Sequence, residues 1–355
     1  MVKISVVIPV YNSREYLRES IESVIVQTFQ DWELLAINEF GSDDGSSDII
    51  EEYCLQDSRI QLIQNKERLG LAESLNKGIR MAKGEYVARL DADDLAHSDR
   101  FRKQVEFMDA HPDVVVCGTY QHHFGLETDW IHRPAISPEQ CKANLLFFCD
   151  LCHSTLMLRR ETIVTNNLWY DKSFLAEDFE LWTRVIRVGK IANIPQVLGE
   201  YRWGDGNITK DKINRLHDES GNIVARNLEL NLKLKLNDSE QAYFRNWHNP
   251  LDDFEDKNVF LKKMEQLLRR IYEKNNEEQY YDQQALLNAI STKWRWVKYN
   301  DPFNKIVYVR DINHVFRRAF RIKLINRIYY FCLNNKGIKL KLKKIIKKIR
   351  NIRRR

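Results

Sequence analysis

Asp91, Asp93 and Asp94 stand within four residues at the end of an apolar run, Gly84-Glu85-Tyr86-Val87-Ala88-Arg89-Leu90. Carboxylates this close repel one another, and a fold keeps them together when a cation or a donor network neutralises them. Hard oxygen ligands at a strand end suit Mg²⁺ or Mn²⁺, which complete their shells with water and substrate phosphates. The same residues also fit a solvated acidic turn that caps the next helix. A second acidic pair, Glu177-Asp178, precedes an apolar helical face of Phe179, Leu181, Trp182 and Val185. A carboxylate placed there can take a proton from an attacking hydroxyl. Equally, the helix dipole stabilises an acid at a helix N-terminus whatever its use.

Such groups need a scaffold. Short β-branched runs at Ile4–Val10, Glu33–Ile37, Ile60–Gln64, Tyr86–Leu90 and Val114–Thr119 predict strands. Amphipathic helices are predicted between them, near Glu15–Thr28, Ser47–Tyr53, Leu71–Ala82 and Asp99–Ala110. This alternation implies an α/β fold with βαβ units and a mainly parallel sheet covered on both faces. Ligands then bind beyond the carboxyl ends of the strands. The polar segments Tyr11–Ser13, Glu39–Ser47 and Asp91–Asp94 all fall at such ends. After about Trp203 helical periodicity takes over, at Lys210–Leu236, Asp256–Lys274 and Asp282–Trp294, and predicts a C-terminal helical appendage.

Several motifs in order resemble the family-two inverting glycosyltransferases with the GT-A fold, over roughly residues 2–205. They are Ser5-Val6-Val7-Ile8-Pro9-Val10-Tyr11-Asn12, Ser20 to Phe29, Trp32-Glu33-Leu34, Asn76-Lys77-Gly78-Ile79, Gly84-Glu85-Tyr86, Asp91-Ala92-Asp93-Asp94 and Glu177-Asp178 with Leu181-Trp182. The resemblance implies a Rossmann-like, mainly parallel sheet and a nucleotide-sugar donor, with a glycan or lipid-linked acceptor. It assigns Pro9, Val10, Tyr11 and Glu39 to the nucleoside, and Asp91 and Ala92 to the donor near the ribose. Asp93 becomes the ligand of a Mn²⁺ or Mg²⁺ ion, Arg68 a basic donor contact and Asp178 the catalytic base of a single displacement. Uridine diphosphate sugars are the family's default, with thymidine diphosphate rhamnose as competitor. The family usually shows Asp-Asp-Gly-Ser directly after the second strand. This chain reads Asn38-Glu39-Phe40-Gly41-Ser42-Asp43-Asp44-Gly45-Ser46, which leaves the base contact open between Glu39 and Asp43 or Asp44. Roles for His153, Arg202 and Asp205 also stay open: substrate contact or structural network for the first, diphosphate, metal or surface turn for the others.

The net charge of +6 is unevenly placed. Lys336 to Arg355 holds eleven Lys or Arg and no acid, so residues 1–335 carry a net −5. A nucleic-acid binder with a basic working surface would not look like this. Ile338, Leu342, Ile345, Ile349 and Ile352 recur at helical spacing among these cations, the pattern of a basic amphipathic helix suited to an anionic membrane surface. The expected domains are residues 1–205 for donor binding and catalysis, 206–335 for the helices and 336–355 for the basic tail. The expected location is cytoplasmic, peripheral to the inner face of the membrane, with the six cysteines reduced and a homodimer through the appendage as an option. Cys149-Asp150-Leu151-Cys152-His153 has haem-attachment spacing, or half a zinc site. Without an export signal or a second cysteine pair, neither is expected. Two alternatives differ in class. A catalytically inactive scaffold would not need intact Asp91, Asp93 and Asp178. A nucleotidyltransferase would show a glycine-rich basic loop after the first strand, where this chain has Tyr11-Asn12-Ser13-Arg14-Glu15.

Overall fold

A computed structural model describes residues 2–126, 128–204, 213–245 and 255–299; Asp205, the start of the helical pattern at Lys210 and the basic tail lie outside these. Strands β1 (Ile4–Val10), β2 (Trp32–Asn38), β3 (Ile60–Gln64) and β4 (Tyr86–Arg89) run parallel, joined by α1 (Leu17–Ile25), α2 (Ser46–Gln56) and α3 (Gly70–Met81). Next come β5 (Leu95–Ala96), α4 (Arg100–Ala110), β6 (Val114–Gly125), β7 (Thr128–His132) and α5 (Pro138–Asn144). A 3₁₀ turn at His153–Thr155 leads into β8 (Met157–Arg159), α6 (Arg160–Thr165), α7 (Glu177–Val185) and β9 (Lys190–Trp203). Helices α8 (Ile213–Leu232), α9 (Asp238–Ala242), α10 (Lys257–Glu278) and α11 (Gln283–Tyr299) complete the described chain.

The sheet has nine strands in the order β3-β2-β1-β4-β8-β6-β9-β5, with β7 paired to β6. β8 runs antiparallel to both β4 and β6, while β6 and β9 are parallel. The predicted strands and helices of the first half are all present. β6 runs on past Thr119 to Gly125, and β5, β7, β8, β9, α5 and α6 are additions to the expected set.

β1 is apolar except for the buried Ser5, whose hydroxyl donates to Glu33 (2.7 Å), because both its faces are covered, as parallel strands in α/β sheets are. Gly78 lets α3 lie against it: a Cβ there would sit 2.4 Å from Val7 Cγ1. One core cluster fills the face under α1, α2 and α4. The other fills the opposite face and continues unbroken through Leu181 and Trp182 into Val224, Leu228, Leu267 and Leu286 of the C-terminal helices. The appendage therefore shares its core with the sheet.

Lys293 of α11 lies inside that second core, 1% exposed, and its Nζ has no hydrogen-bond partner. Burial lowers its pKa from 10.5 to about 8. A lysine so depressed is harder to charge in the folded than in the unfolded chain, so the cost is full below pH 8 and fades as pH rises towards 10.5. Lys293→Met should raise unfolding free energy by up to about 3 kcal/mol at pH 7. Denaturant titration at pH 7 and pH 10 checks this, since the gain should shrink at the higher pH.

Candidate active site

Beyond β4 the chain turns through Asp91, Ala92, Asp93 and Asp94. Ser20 Oγ donates to the Asp91 carbonyl (2.9 Å), and the Asp91 amide donates to Ser154 Oγ (3.2 Å), so the turn is fixed from α1 and from the 3₁₀ turn. The Asp91 side chain takes a 2.5 Å hydrogen bond from Arg89 Nη2. Asp94 is fully buried and accepts the Arg202 amide at Oδ1 (2.9 Å), leaving Oδ2 without a partner. Burial, then the charge of Asp91, raises the Asp93 pKa to about 6; for Asp94, burial and then Asp91 and Asp93 raise it well above the usual carboxylate value.

Glu177 and Asp178 open α7. The preceding loop is held by Asn76, which donates from Nδ2 to the Tyr170 carbonyl (2.8 Å) and accepts the Tyr170 amide (2.9 Å). Asp178 Oδ1 accepts its neighbour's amide, Phe179 N–H, at 2.6 Å, and the Cys149 thiol lies 4.0 Å from Oδ2. Burial raises the proton affinity of Asp178; the Phe179 amide and Arg89 pull it back, and Asp91 adds to the rise. Glu177 is pushed up to about 8 by burial and then by Asp178. Both acidic groups thus feel the same cation. Arg89 is 4% exposed, and its Nε and Nη1 have no hydrogen-bond partner. Burial works against its charge, but Asp91, Tyr170 and Asp94 outweigh it and hold its pKa above the ordinary value. His153 bonds through Nε2 to Tyr170 Oη (2.9 Å), and burial, then Arg89, keeps it neutral. Burial likewise raises the Cys149 and Cys152 thiols, and both are free cysteines.

The C-terminal helices hold the start of α7 from behind. Glu219 of α8 accepts the Leu175 amide (2.6 Å) and the Ala176 amide (2.9 Å) at one oxygen, capping the entry to α7 from another helix. Arg215 steadies the other oxygen (2.8 Å). Arg226 of α8 also reaches Glu180 of α7 (2.8 Å). Glu219→Ala should cost about 1 kcal/mol as a lost cap and lower kcat by at least about tenfold through a displaced α7. Steady-state kinetics should show kcat falling with donor KM little changed; an unaltered kcat would remove Glu219 from this role.

At the ends of β1 and β2, Pro9 and Val10 finish their strand and Val10 accepts the Glu39 amide (2.8 Å). Tyr11 is exposed, and the Arg68 guanidinium stands 4.6 Å from its ring centroid. The Glu39 carboxylate is filled from within the protein. It accepts the amides of Phe40 (2.8 Å), Leu69 (3.0 Å) and Gly70 (2.6 Å), with Asn65 Nδ2 at 3.3 Å. Burial works to raise its pKa, but these donors lower it overall. Asp44, just before α2, accepts Ser46 N–H (3.0 Å) and takes the Arg14 amide (2.8 Å). Asp43 is exposed in the same loop, its amide donating to Asn12 Oδ1 (3.1 Å). Arg202 is engaged by Glu19 (2.6 Å) and by the Asp93 carbonyl (3.1 Å).

Arg89, Glu219 and Arg226 escaped the sequence reading. Arg89 reads as the end of an apolar run, and the partners of all three come from remote segments. Among the described residues no group of three or more His, Cys, Asp or Glu stands ready to enclose a metal. A cation that takes one or two carboxylates and completes its shell from a diphosphate needs no such cage. Asp93, with its raised proton affinity, and the unpartnered Asp94 Oδ2 fit that lighter demand for hard oxygen.

Residues 5–177 match the family described as Glycosyl transferase family 2. An uncharacterized glycosyltransferase of Haemophilus influenzae is 32% identical over 238 residues, 63% of this chain and 72% of that one. WfaP of Escherichia coli, named as a UDP-Glc:alpha-D-GlcNAc-diphosphoundecaprenol beta-1,3-glucosyltransferase, is 30% identical over 221 residues, 61% of this chain and 84% of its own. The crystal structure of residues 1–349 of Staphylococcus aureus TarS, solved with UDP-GlcNAc, superposes with a TM-score of 0.54 over 92% of each chain at 15% identity. At that identity the likeness speaks for the fold, which is the GT-A arrangement expected from the sequence. Two relatives at 30% identity or better, each covered over more than two thirds of its length, place this chain in glycosyl transferase family 2.

Proposed function

We propose that this protein is an inverting, metal-assisted transferase. It moves a hexose or related sugar from a UDP-sugar to a hydroxyl of a glycan or lipid-linked acceptor during assembly of a cell-surface polysaccharide. One observation carries this: the Asp91–Asp94 turn and the Glu177-Asp178 pair, more than eighty residues apart in sequence, converge around a single buried guanidinium, Arg89. Asp178 takes the proton from the acceptor hydroxyl, and its burial makes it a stronger base than a surface carboxylate. Asp93 would hold a Mn²⁺ or Mg²⁺ ion, which when bound supplies counter-charge to the departing diphosphate. Pro9, Val10, Tyr11 and Arg68 line the nucleoside side, with Asp91 and Ala92 near the ribose. Glu39 holds the loop that carries Arg68 and shapes that pocket by way of Leu69 and Gly70. The uridine preference draws on the names of WfaP and of the TarS complex.

The division at residue 205, a basic tail seated on an anionic membrane surface at the cytoplasmic face, and a dimer through the helices belong to the same proposal. No helix among the described residues is long and apolar enough to cross a membrane. Purified protein should release one nucleotide slowly from its sugar when offered UDP-, dTDP- and GDP-sugars with Mn²⁺. EDTA and Asp93→Ala should each abolish the release. No release and no nucleotide binding by calorimetry would overturn the proposal in favour of a scaffold.

A further inference from the structure

The three strands beside the carboxylate turn use their two faces differently. His123 on β6 lies opposite Trp130 on β7 and opposite Tyr201 on β9. Side chains alternate along a strand, so these three share a face and their sequence neighbours share the other. Phe124 and Arg202 occupy that other face, the guanidinium 4.7 Å from the ring, and Arg202 bonds the Asp93–Asp94 turn. Trp130, His123 and Tyr201 make a continuous row, with ring centroids 4.2 and 4.9 Å apart.

The next row on this face is Gln121, His132 and Gly199, and it leads to the catalytic centre. A Cβ at Gly199 would stand 2.7 Å from Thr155 Cγ2, so the strand passes directly over the 3₁₀ turn whose Ser154 fixes Asp91. His132 Nε2 bonds the Asp150 carbonyl (2.8 Å), next to Cys149 and hence to Asp178. Trp130 is 46% exposed on the last strand of its hairpin. Gln121 Nε2 and both ring nitrogens of His123 have no hydrogen-bond partner, although Gln121 is only 3% exposed. Burial, then His132 and His122, lowers the His123 pKa to about 4, so the row is uncharged at neutral pH.

We propose that Trp130, His123 and Tyr201 form an acceptor subsite that stacks the apolar face of a pyranose ring and leads the acceptor's hydroxyl towards Asp178. An uncharged aromatic row whose outer ring, Trp130, is exposed suits a sugar, which offers C–H groups on its face for stacking. Three rings offer far less than the roughly 800 Å² per partner of a stable protein interface, so a second copy is a poor occupant. The donor pocket lies at the ends of β1 to β4, across the carboxylate turn. The subsite rests on the transferase proposal, and it narrows the acceptor to one with a pyranose ring near the reacting hydroxyl.

The test uses the full chain on an array of bacterial cell-surface glycans in the presence of UDP, with calorimetry against UDP, dTDP and GDP alongside. Wild type should retain a subset of pyranose-containing glycans. Trp130→Ala should weaken that retention at least tenfold. Trp130→Leu, of similar apolar character without a π face, should weaken it as well, and His123→Phe should preserve it. Thermal unfolding of each variant shows that it is folded. Equal retention by Trp130→Leu and wild type overturns the subsite, as does wild type that binds a nucleotide but no glycan. Wild type that binds no nucleotide overturns the transferase proposal instead.

Discussion

Asp178→Asn should lower sugar transfer by about 10² to 10⁴ while leaving nucleotide affinity unchanged. Asparagine keeps the shape of the side chain and an oxygen that can still accept the Phe179 amide, so α7 keeps its entry geometry. What disappears is the capacity to take a proton. Burial holds Asp178 above the ordinary carboxylate range, so wild-type kcat should climb with pH as this group ionises. The variant should lose that acid limb along with its rate. Transfer assays across pH 4 to 8 with calorimetry on the same preparations test both parts. A variant within tenfold of wild type would exclude Asp178 as the base.

The second large effect concerns Arg89. Taking one partner from a buried charge pair typically costs about 3–5 kcal/mol, because the other charge is left unpaired. Arg89→Met leaves Asp91 without its 2.5 Å donor and removes the cation that draws down the proton affinities of Asp93, Glu177 and Asp178. Those affinities should then rise further. A carboxyl whose folded pKa is raised binds more protons folded than unfolded between its ordinary and its raised value, so stability falls as pH rises through that window. The loss in Arg89→Met should therefore be largest near pH 8 and smallest near pH 5, where protons replace the guanidinium. The acid limb of kcat should also move to higher pH. Denaturant titrations at the two pH values decide it: wild-type stability at pH 8 would show that Arg89 does not neutralise the cluster.

The half of the fold made of parallel strands was legible because burial on both faces writes an apolar run into the sequence. β1 begins and ends where its run does, at Ile4–Val10, while the edge strand β3 is legible only from Ile60, Leu62 and Ile63 set among glutamines. β6 was read short because after Thr119 its burial becomes partial, and Tyr120-Gln121-His122-His123 carries no apolar run. β9 hides a proline. Its pairing with β6 jumps from Ile194 to Val197, so Pro195 sits in an irregularity where a ladder hydrogen bond is not needed. The acidic residues of the site could be read because each lies at the end of a strand or the start of a helix. Arg89 could not, since its meaning comes from Glu177 and Asp178, which follow it by nearly ninety positions. The base contact left open between Glu39 and the Asp43-Asp44 pair shows the same limit. Only three dimensions reveal that Leu69 and Gly70 occupy the Glu39 carboxylate and that Asp44 is spent on the Ser46 and Arg14 amides.

The clamp from α8 onto α7 has a consequence for the birth of the molecule. A ribosome that has delivered residues 1–205 has made all of β1 to β9, but the acid on which the Leu175 and Ala176 amides hang is still to come. At about 5–20 residues per second, the shared core with α10 and α11 closes several seconds later. In the proposed transferase, a nascent chain thus completes the strands that would carry the nucleotide before it makes Glu219, the acid that holds the entry to α7 and Asp178.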